Sequence, residues 1–294
     1  MWHLGKTPIS YYGGKQRLAS RIIKMIPKHT VYVEPFAGGA AVFFAKPWPE
    51  ITNTHHYREV LNDTDGRLVN FYRQLRDNGA ELVRRLQMTP YSAEEHRIAK
   101  QLECEDRIEA ARRYFVNLNQ SFANRMNGGW GRSVYGRNMA ATWANRIDRL
   151  PELLDRLHGI HIECDDALKV IRQWDSPQTF FYCDPPYPGA DCGHYKGYTL
   201  ADFQALVDTL AGCQGSFLLS NYPQADAVIP QDWEAIQIQA TSTAGRVCYD
   251  RSQKADESMQ NRKRTEVIWR RRSAVQPRIE ILNLFASGKF DCFD

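Results

Sequence analysis

No stretch of this sequence approaches the roughly 18 consecutive apolar residues of a membrane-spanning helix, and no charged-then-apolar leader opens it. Neither membrane insertion nor secretion is therefore expected. No C-x-x-C spacing occurs among the cysteines at 104, 164, 183, 192, 213, 248 and 292. Odd in number and scattered, they suggest neither a disulfide framework nor a zinc site, and read as reduced thiols of a cytoplasmic protein. The histidines form no H-E-x-x-H pattern, so no metal is expected. The G-x-G-x-x-G fingerprint is also missing, which disfavours NAD. There is no internal repeat or low-complexity segment, and the net charge of +4 permits a polyanionic partner without demanding one.

What is present is a chain of 294 residues, 43% hydrophobic and 24% charged, the mixture of a folded globular protein with one large domain or two smaller ones. Its most informative stretch is Thr179-Phe180-Phe181-Tyr182-Cys183-Asp184-Pro185-Pro186-Tyr187. The apolar run reads as a short strand buried on both faces, and the two prolines end it because neither can donate a ladder hydrogen bond. Asp184 therefore stands at the carboxyl end of a strand, where open α/β sheets build their ligand crevices. The prolines fix two φ angles and leave carbonyl oxygens free, so the carboxylate and an adjacent carbonyl can converge on one amino group. Tyr187 adds a flat face for stacking. Two rigid acceptors beside an aromatic plate suit an exocyclic amine on a planar base.

Earlier in the chain, Gly13-Gly14-Lys15 opens a helical pattern with Leu18, Ile22, Ile23 and Ile26, a turn able to hold an anionic group. Val31 to Glu34 reads as a second buried strand, followed by the turn Pro35-Phe36-Ala37-Gly38-Gly39 into a helix at Ala40. Arg58 to Asp63 is a third strand that ends in an acid before another helix. Asp63 is placed to accept from ribose hydroxyls or to cap that helix. Gly159 to Cys164 leads to Asp165 and Asp166, where again a cap and a ligand are both readable.

Several of these segments, in this order, resemble the Dam-type DNA adenine-N6 methyltransferases, which use S-adenosylmethionine. The resemblance rests on Glu34-Pro35-Phe36-Ala37-Gly38-Gly39 and Asp184-Pro185-Pro186-Tyr187, and spans about residues 9 to 270. It implies a Rossmann-like α/β sheet of the class I methyltransferases with a mainly helical inserted DNA-recognition domain. It implies Tyr11 and Lys15 at the methionine end of the cofactor, with Tyr11 standing where many relatives have Trp. Glu34, Phe36 and Gly38 fall in the cofactor loop, Asp63 at the ribose and Asp166, ahead of Ala167-Leu168, at the cofactor's adenine. Asp184, Pro185, Pro186 and Tyr187 form the catalytic motif, with Asp184 also beside the cofactor.

Between the two halves the pattern becomes helical. From Ala111 to Arg149 there are seven arginines (112, 113, 125, 132, 137, 146 and 149) against one acid, Asp148. Here Phe122 to Arg132 interleaves Arg, Asn and aromatics in a glycine-rich loop, suited to phosphate and base contacts. The expected division is a catalytic part at 1–74, a target-recognition insertion at 75–157 and a second catalytic part at 158–294. Arg125, Asn127, Arg132 and Arg137, with Tyr195 and Lys196 in the loop after the catalytic motif, are the expected contacts to double-stranded DNA. The basic triplets 262–264 and 270–272 are further candidates for phosphate contact. Oligomeric state and recognition sequence are not readable, and a monomer on DNA is compatible with the sequence. Competing readings are cytosine-N4 methylation, whose motif usually begins with Ser, RNA methylation, and an idle DNA-binding protein on the same scaffold.

Overall fold

Successive residues of a strand face opposite sides of a sheet, and the central strands here use that alternation to feed two cores. The computed structural model describes residues 7–9, 14–47, 57–101, 104–187, 197–221, 228–241 and 263–271. Arg262, Arg272 and the segment 282–293 lie outside them. Seven strands, β1 (Val31–Glu34), β2 (Arg58–Asn62), β3 (His161–Glu163), β4 (Thr179–Cys183), β5 (Ser216–Asn221), β6 (Glu234–Thr241) and β7 (Lys263–Arg271), form one sheet in the order β3-β2-β1-β4-β5-β7-β6. The pairs from β3 through β5 are parallel, while β7 runs antiparallel to both β5 and β6. The order reverses between β1 and β4, whose register pairs Tyr32 with Phe180 and Val33 with Phe181. A crevice is expected at the carboxyl ends of the strands flanking such a switch point.

Tyr32, Phe180, Tyr182 and Leu218 enter one core together with Phe43, Phe71, Leu82, Phe115 and Trp143. These partners lie on α2 (Ala41–Ala45), α3 (Gly66–Asp77), α4 (Gly79–Gln87), α6 (Arg107–Gln120) and α7 (Met139–Ile147). Val33, Val60, Phe181, Cys183 and Leu219 enter the other core, beneath α9 (Ala167–Trp174) and α10 (Leu200–Gly212). Covering both faces explains why β4 reads as an uninterrupted apolar run rather than an alternation, and every residue of it is buried. The Rossmann-like α/β class expected from the sequence is thus borne out.

Helices α4, α5 (Ala93–Ala99), α6, α7 and α8 (Pro151–Leu157) all lie between β2 and β3. Their starts are set by local chemistry. Ser92 accepts from Glu95 N–H, Asp106 from Ile108 and Glu109 N–H, and Asn138 from Ala141 N–H, each a side-chain oxygen satisfying a helix donor that has no partner within the helix. Pro151 occupies the first turn of α8, where its missing N–H costs nothing. The segment is fixed to the sheet by a buried ion pair between Arg156 and Glu59, which also binds Lys46 Nζ at 2.8 Å. Arg271 donates to the carbonyls of Ala211 and Cys213 at 2.7 Å, tying β7 to the end of α10, and Arg270 pairs with Glu234. Those two arginines of the 270–272 triplet are thus held within the fold.

Candidate active site

Asp184 follows directly on β4, as Pro185 and Pro186 dictate, and its carboxylate meets Lys15 from the other end of the chain. Lys15 Nζ lies 2.7 and 2.9 Å from the two Asp184 oxygens, 2.8 Å from Glu266 Oε1 and 2.9 Å from the Tyr187 hydroxyl. Tyr187 donates to Glu266 Oε1 at 2.6 Å, and Ser220 Oγ donates to the same oxygen at 2.9 Å. Lys15 and Glu266 are buried at 5% and 9% exposure, whereas Asp184 keeps 21%, so it is the more exposed of the two carboxylates. The Lys15 ammonium sits 5.1 Å from the Tyr187 ring centroid but 2.9 Å from its hydroxyl. It therefore lies at the edge of the phenol, toward its hydroxyl, rather than on its face.

Burial by itself would lower the Lys15 pKa, but the Asp184 and Glu266 carboxylates outweigh that and raise it above the usual lysine range. Asp184 is pushed upward, first by burial, against the pull of Lys15 and with the help of Glu266. Two carboxylates share one ammonium, and a like charge nearby makes Asp184 harder to ionise. The Tyr182 hydroxyl lies in the same electrostatic neighbourhood and has no hydrogen-bond partner among the described residues.

Beside this cluster is a cavity of about 430 Å³ lined by Phe36, Asp63, Asp166, Leu168, Pro186 and Tyr198. Phe36, Leu168 and Pro186 give it apolar walls, and Asp63, Asp166 and Asp202 give it acceptors. Asp63 is held in place by donors from its own surroundings: Gly38 N–H and Asp65 N–H each reach one of its oxygens at 2.9 Å. Gly38 (φ 46°) and Ala40 (φ 49°) both adopt left-handed backbone in this turn, which bends the chain sharply under the crevice. Asp166 caps α9 by accepting from Lys169 N–H at 3.0 Å, so a cap and a cavity wall coincide in one residue. The neighbouring Asp165 turns instead to Lys169 Nζ. The Tyr198 hydroxyl is buried without a hydrogen-bond partner among the described residues. Such a mixture of flat apolar walls and acceptors at strand tips fits a nucleoside.

Glu34 is buried at the end of β1 and is not among the residues that line the cavity. Its Oε1 accepts from Tyr32 OH at 2.6 Å and from Phe43 N–H at 2.8 Å, and burial pushes its carboxyl up to about 8 against those two bonds. The structure thus gathers Lys15, Asp184 and Tyr187 into one cluster and Phe36, Asp63, Asp166 and Pro186 around one cavity; Pro185 is buried between them in sequence. Tyr11, Tyr195 and Lys196 lie outside the described residues. Arg125, Asn127, Arg132 and Arg137 are exposed on the segment between α6 and α7. Of these, Asn127 is tied to α6 through Asn117: its side-chain oxygen accepts from Asn117 Nδ2 at 2.8 Å, and its backbone N–H donates to Asn117 Oδ1 at 2.9 Å.

Glu266, Ser220, Tyr198 and Arg146 were not singled out from the sequence. Glu266 left a faint trace as the one acid in Thr265-Glu266-Val267-Ile268-Trp269. Arg146 is half-buried against the amide oxygens of Asn119 and Asn124, with burial and then Arg137 lowering its pKa.

Among the described residues no helix is long and apolar enough to cross a membrane, and no group of three His, Cys, Asp or Glu side chains is placed to hold a metal. The chain is 28% identical over 265 residues to the Type II methyltransferase M1.LlaDCHI of Lactococcus lactis subsp. cremoris, covering 79% of this chain and 87% of that one. It is 24% identical over 218 residues to the Retron Ec67 DNA adenine methylase of Escherichia coli, covering 69% and 72%. It is 26% identical over 203 residues to the DNA N-6-adenine-methyltransferase of Escherichia phage P1, covering 65% of this chain and 25% of that longer one. A sequence model described as D12 class N6 adenine-specific DNA methyltransferase matches residues 11–243. That span begins shortly before Lys15, runs through β6 and takes in both Asp184 and the cavity, and this chain belongs to the D12 class N6 adenine-specific DNA methyltransferase family.

Proposed function

We propose that this enzyme transfers a methyl group from S-adenosylmethionine to N6 of an adenine flipped out of double-stranded DNA. The observation that carries this reading is the placement of Asp184, partly exposed just past the end of β4, in the same Asp-Pro-Pro-Tyr turn as Pro186, which lines the acceptor-lined cavity. The residues of the cavity fit the cofactor: Asp63 faces a ribose, Asp166 an adenine amino group, and Phe36 and Leu168 the flat purine. Bound there, S-adenosylmethionine supplies an electrophilic methyl group on a sulfonium.

The amine of adenine is a poor nucleophile because its lone pair is delocalised into the ring, and inside a duplex it is paired and out of reach. Flipping the base costs a few kcal/mol. Arg125, Arg132 and Arg137 hold the backbone while Tyr187 replaces lost stacking, worth about 1 to 3 kcal/mol per base. Asp184 and the Pro185 carbonyl accept the two N6 protons. As nitrogen gains positive charge during direct attack, both acceptors bind it more strongly than in the ground state, which stabilises the transition state. The proton then leaves to solvent, and no covalent enzyme intermediate is required. Tyr11 at the methionine end of the cofactor, and Tyr195 and Lys196 at the DNA, complete this reading on the resemblance alone, as does assignment of residues 75–157 to target recognition.

The test is transfer of labelled methyl from S-adenosylmethionine to unmethylated DNA, with digestion to nucleosides. Label is expected in N6-methyladenine, and Asp184→Ala is expected to lower kcat by about 10²- to 10³-fold. Label in cytosine, in RNA alone, or nowhere would sink the proposal.

A further inference from the structure

Glu266 belongs to neither of the motifs that mark this site, yet the polar groups of the site converge on it. Its Oε1 lies 2.8 Å from the Lys15 ammonium, 2.6 Å from the Tyr187 hydroxyl and 2.9 Å from the Ser220 hydroxyl. β7 is antiparallel to β5, with Val267 paired to Asn221, so Glu266 stands next to the carboxyl ends of the parallel strands, where Asp184 also lies. It is buried, whereas Asp184 is the more exposed of the two carboxylates.

This arrangement answers a difficulty in the chemistry. Lys15 occupies both oxygens of Asp184. An ammonium donating to a carboxylate weakens it as an acceptor for a neutral amine, and Asp184 must turn acceptor sites to adenine N6. A buried ammonium cannot simply be released, because leaving it unpaired is strongly unfavourable. Glu266 offers a second carboxylate already within hydrogen-bond distance, so Lys15 can leave Asp184 without losing its counter-charge.

Resting on the reading above, we propose that Glu266 is a positioning residue for methyl transfer: it receives the Lys15 ammonium and anchors the Tyr187 hydroxyl, freeing Asp184 for the adenine amine. Among the described residues, the charged and titratable groups facing Asp184 are Lys15, Glu266 on β7, Glu34 on β1, Tyr182 and Cys183 on β4, and Tyr187. Of these, Lys15 favours its ionised form and Glu266 opposes it.

The experiment compares wild type, Glu266→Gln and Glu266→Asp for methyl transfer to unmethylated DNA across pH, with cofactor binding measured by calorimetry using S-adenosylmethionine. Glutamine keeps the acceptor for Tyr187 and Ser220 but removes the charge. Its kcat is expected to fall about tenfold to a hundredfold, with KM for DNA and cofactor affinity within about twofold of wild type. The acid limb of its kcat profile moves to lower pH, because the carboxylate that opposes ionisation of Asp184 is gone while Lys15 stays on Asp184. Glu266→Asp keeps the charge, and its acid limb stays at the wild-type position with kcat between the other two. An unchanged kcat, an acid limb that does not move in Glu266→Gln, or kcat and cofactor affinity falling together would overturn the proposal. If Glu266→Gln does not fold, Glu266→Asp decides: reduced kcat with wild-type cofactor affinity supports it, and wild-type kcat or lost cofactor affinity refutes it. Wild type that leaves no label in N6-methyladenine overturns the proposed function itself, a result separable from failure at Glu266 alone.

Discussion

Asn62 and Asp165 bind each other across the tips of β2 and β3: Asn62 Nδ2 donates to the Asp165 carbonyl at 3.0 Å, and Asp165 N–H donates to Asn62 Oδ1 at 2.9 Å. The same Nδ2 also donates to the Pro35 carbonyl at 2.9 Å. One fully buried amide therefore locks the turns after β1 and β3, which carry Phe36 and Asp166 into the cavity. Asn62→Ala leaves three backbone groups unpaired and is expected to cost about 2 to 4 kcal/mol in urea unfolding. Affinity for S-adenosylmethionine should fall with it, and a variant as stable and as tightly binding as wild type would show that these turns do not need the lock.

Glu34 gives the fold a pH dependence of definite sign. Its carboxyl, near 4.5 in an unfolded chain, is pushed up to about 8 by burial, partly offset by the Tyr32 and Phe43 bonds. Between those values the native state holds a proton that the unfolded state has lost, so stability falls as pH rises through this window, by at most about 1.4 kcal/mol per pH unit. Glu34→Gln keeps both acceptor contacts and does not titrate. Urea midpoints from pH 5 to 8, on the order of the window itself, should show this variant gaining on wild type as pH rises. Parallel curves would refute the shift.

Arg132 and Arg137 are exposed, whereas Asn127 is tied to Asn117. Arg132→Ala and Arg137→Ala should each weaken DNA binding and reduce the slope of log K against log salt by about 1, with stability changed by no more than about 0.5 kcal/mol. Asn127→Ala should instead act through stability, costing about 1 to 2 kcal/mol, since it removes the acceptor of the buried Asn117 Nδ2 while the backbone bond to Asn117 Oδ1 remains. Filter binding at several salt concentrations, with unfolding curves beside it, separates the two kinds of effect.

The Tyr198 hydroxyl is buried at the cavity without a hydrogen-bond partner among the described residues, and burial raises its pKa. Removing it relieves a desolvation cost in the ligand-free protein. Tyr198→Phe should therefore raise unfolding stability by up to about 1 kcal/mol and weaken S-adenosylmethionine binding by about fivefold to tenfold. Calorimetry that shows unchanged affinity would assign the hydroxyl no contact with the cofactor.

Local sequence chemistry was sufficient wherever a residue's neighbours in the chain decide its geometry. Pro185 and Pro186 cannot extend a ladder, so they alone place Asp184 at a strand end. Phe180 and Phe181 have to be buried on opposite faces, so β4 had to be central. Asp63 and Asp166 were legible as strand-tip acids, yet their sequence left caps and cavity walls equally open, and Asp166 turns out to be both.

Glu266 marks where that legibility ends. It meets Tyr187 across 79 residues, and Lys15 meets Asp184 across 169. Neither pairing follows from spacing. Both depend on which strands are neighbours and in which direction β7 runs, choices made by the burial of whole faces rather than by any local preference. The sequence by itself determined that a carboxylate and two proline carbonyls stand at a strand tip. Only the tertiary structure decided that a lysine and a second carboxylate close around that tip, because a buried charge is tolerated only where the completed fold supplies its partner.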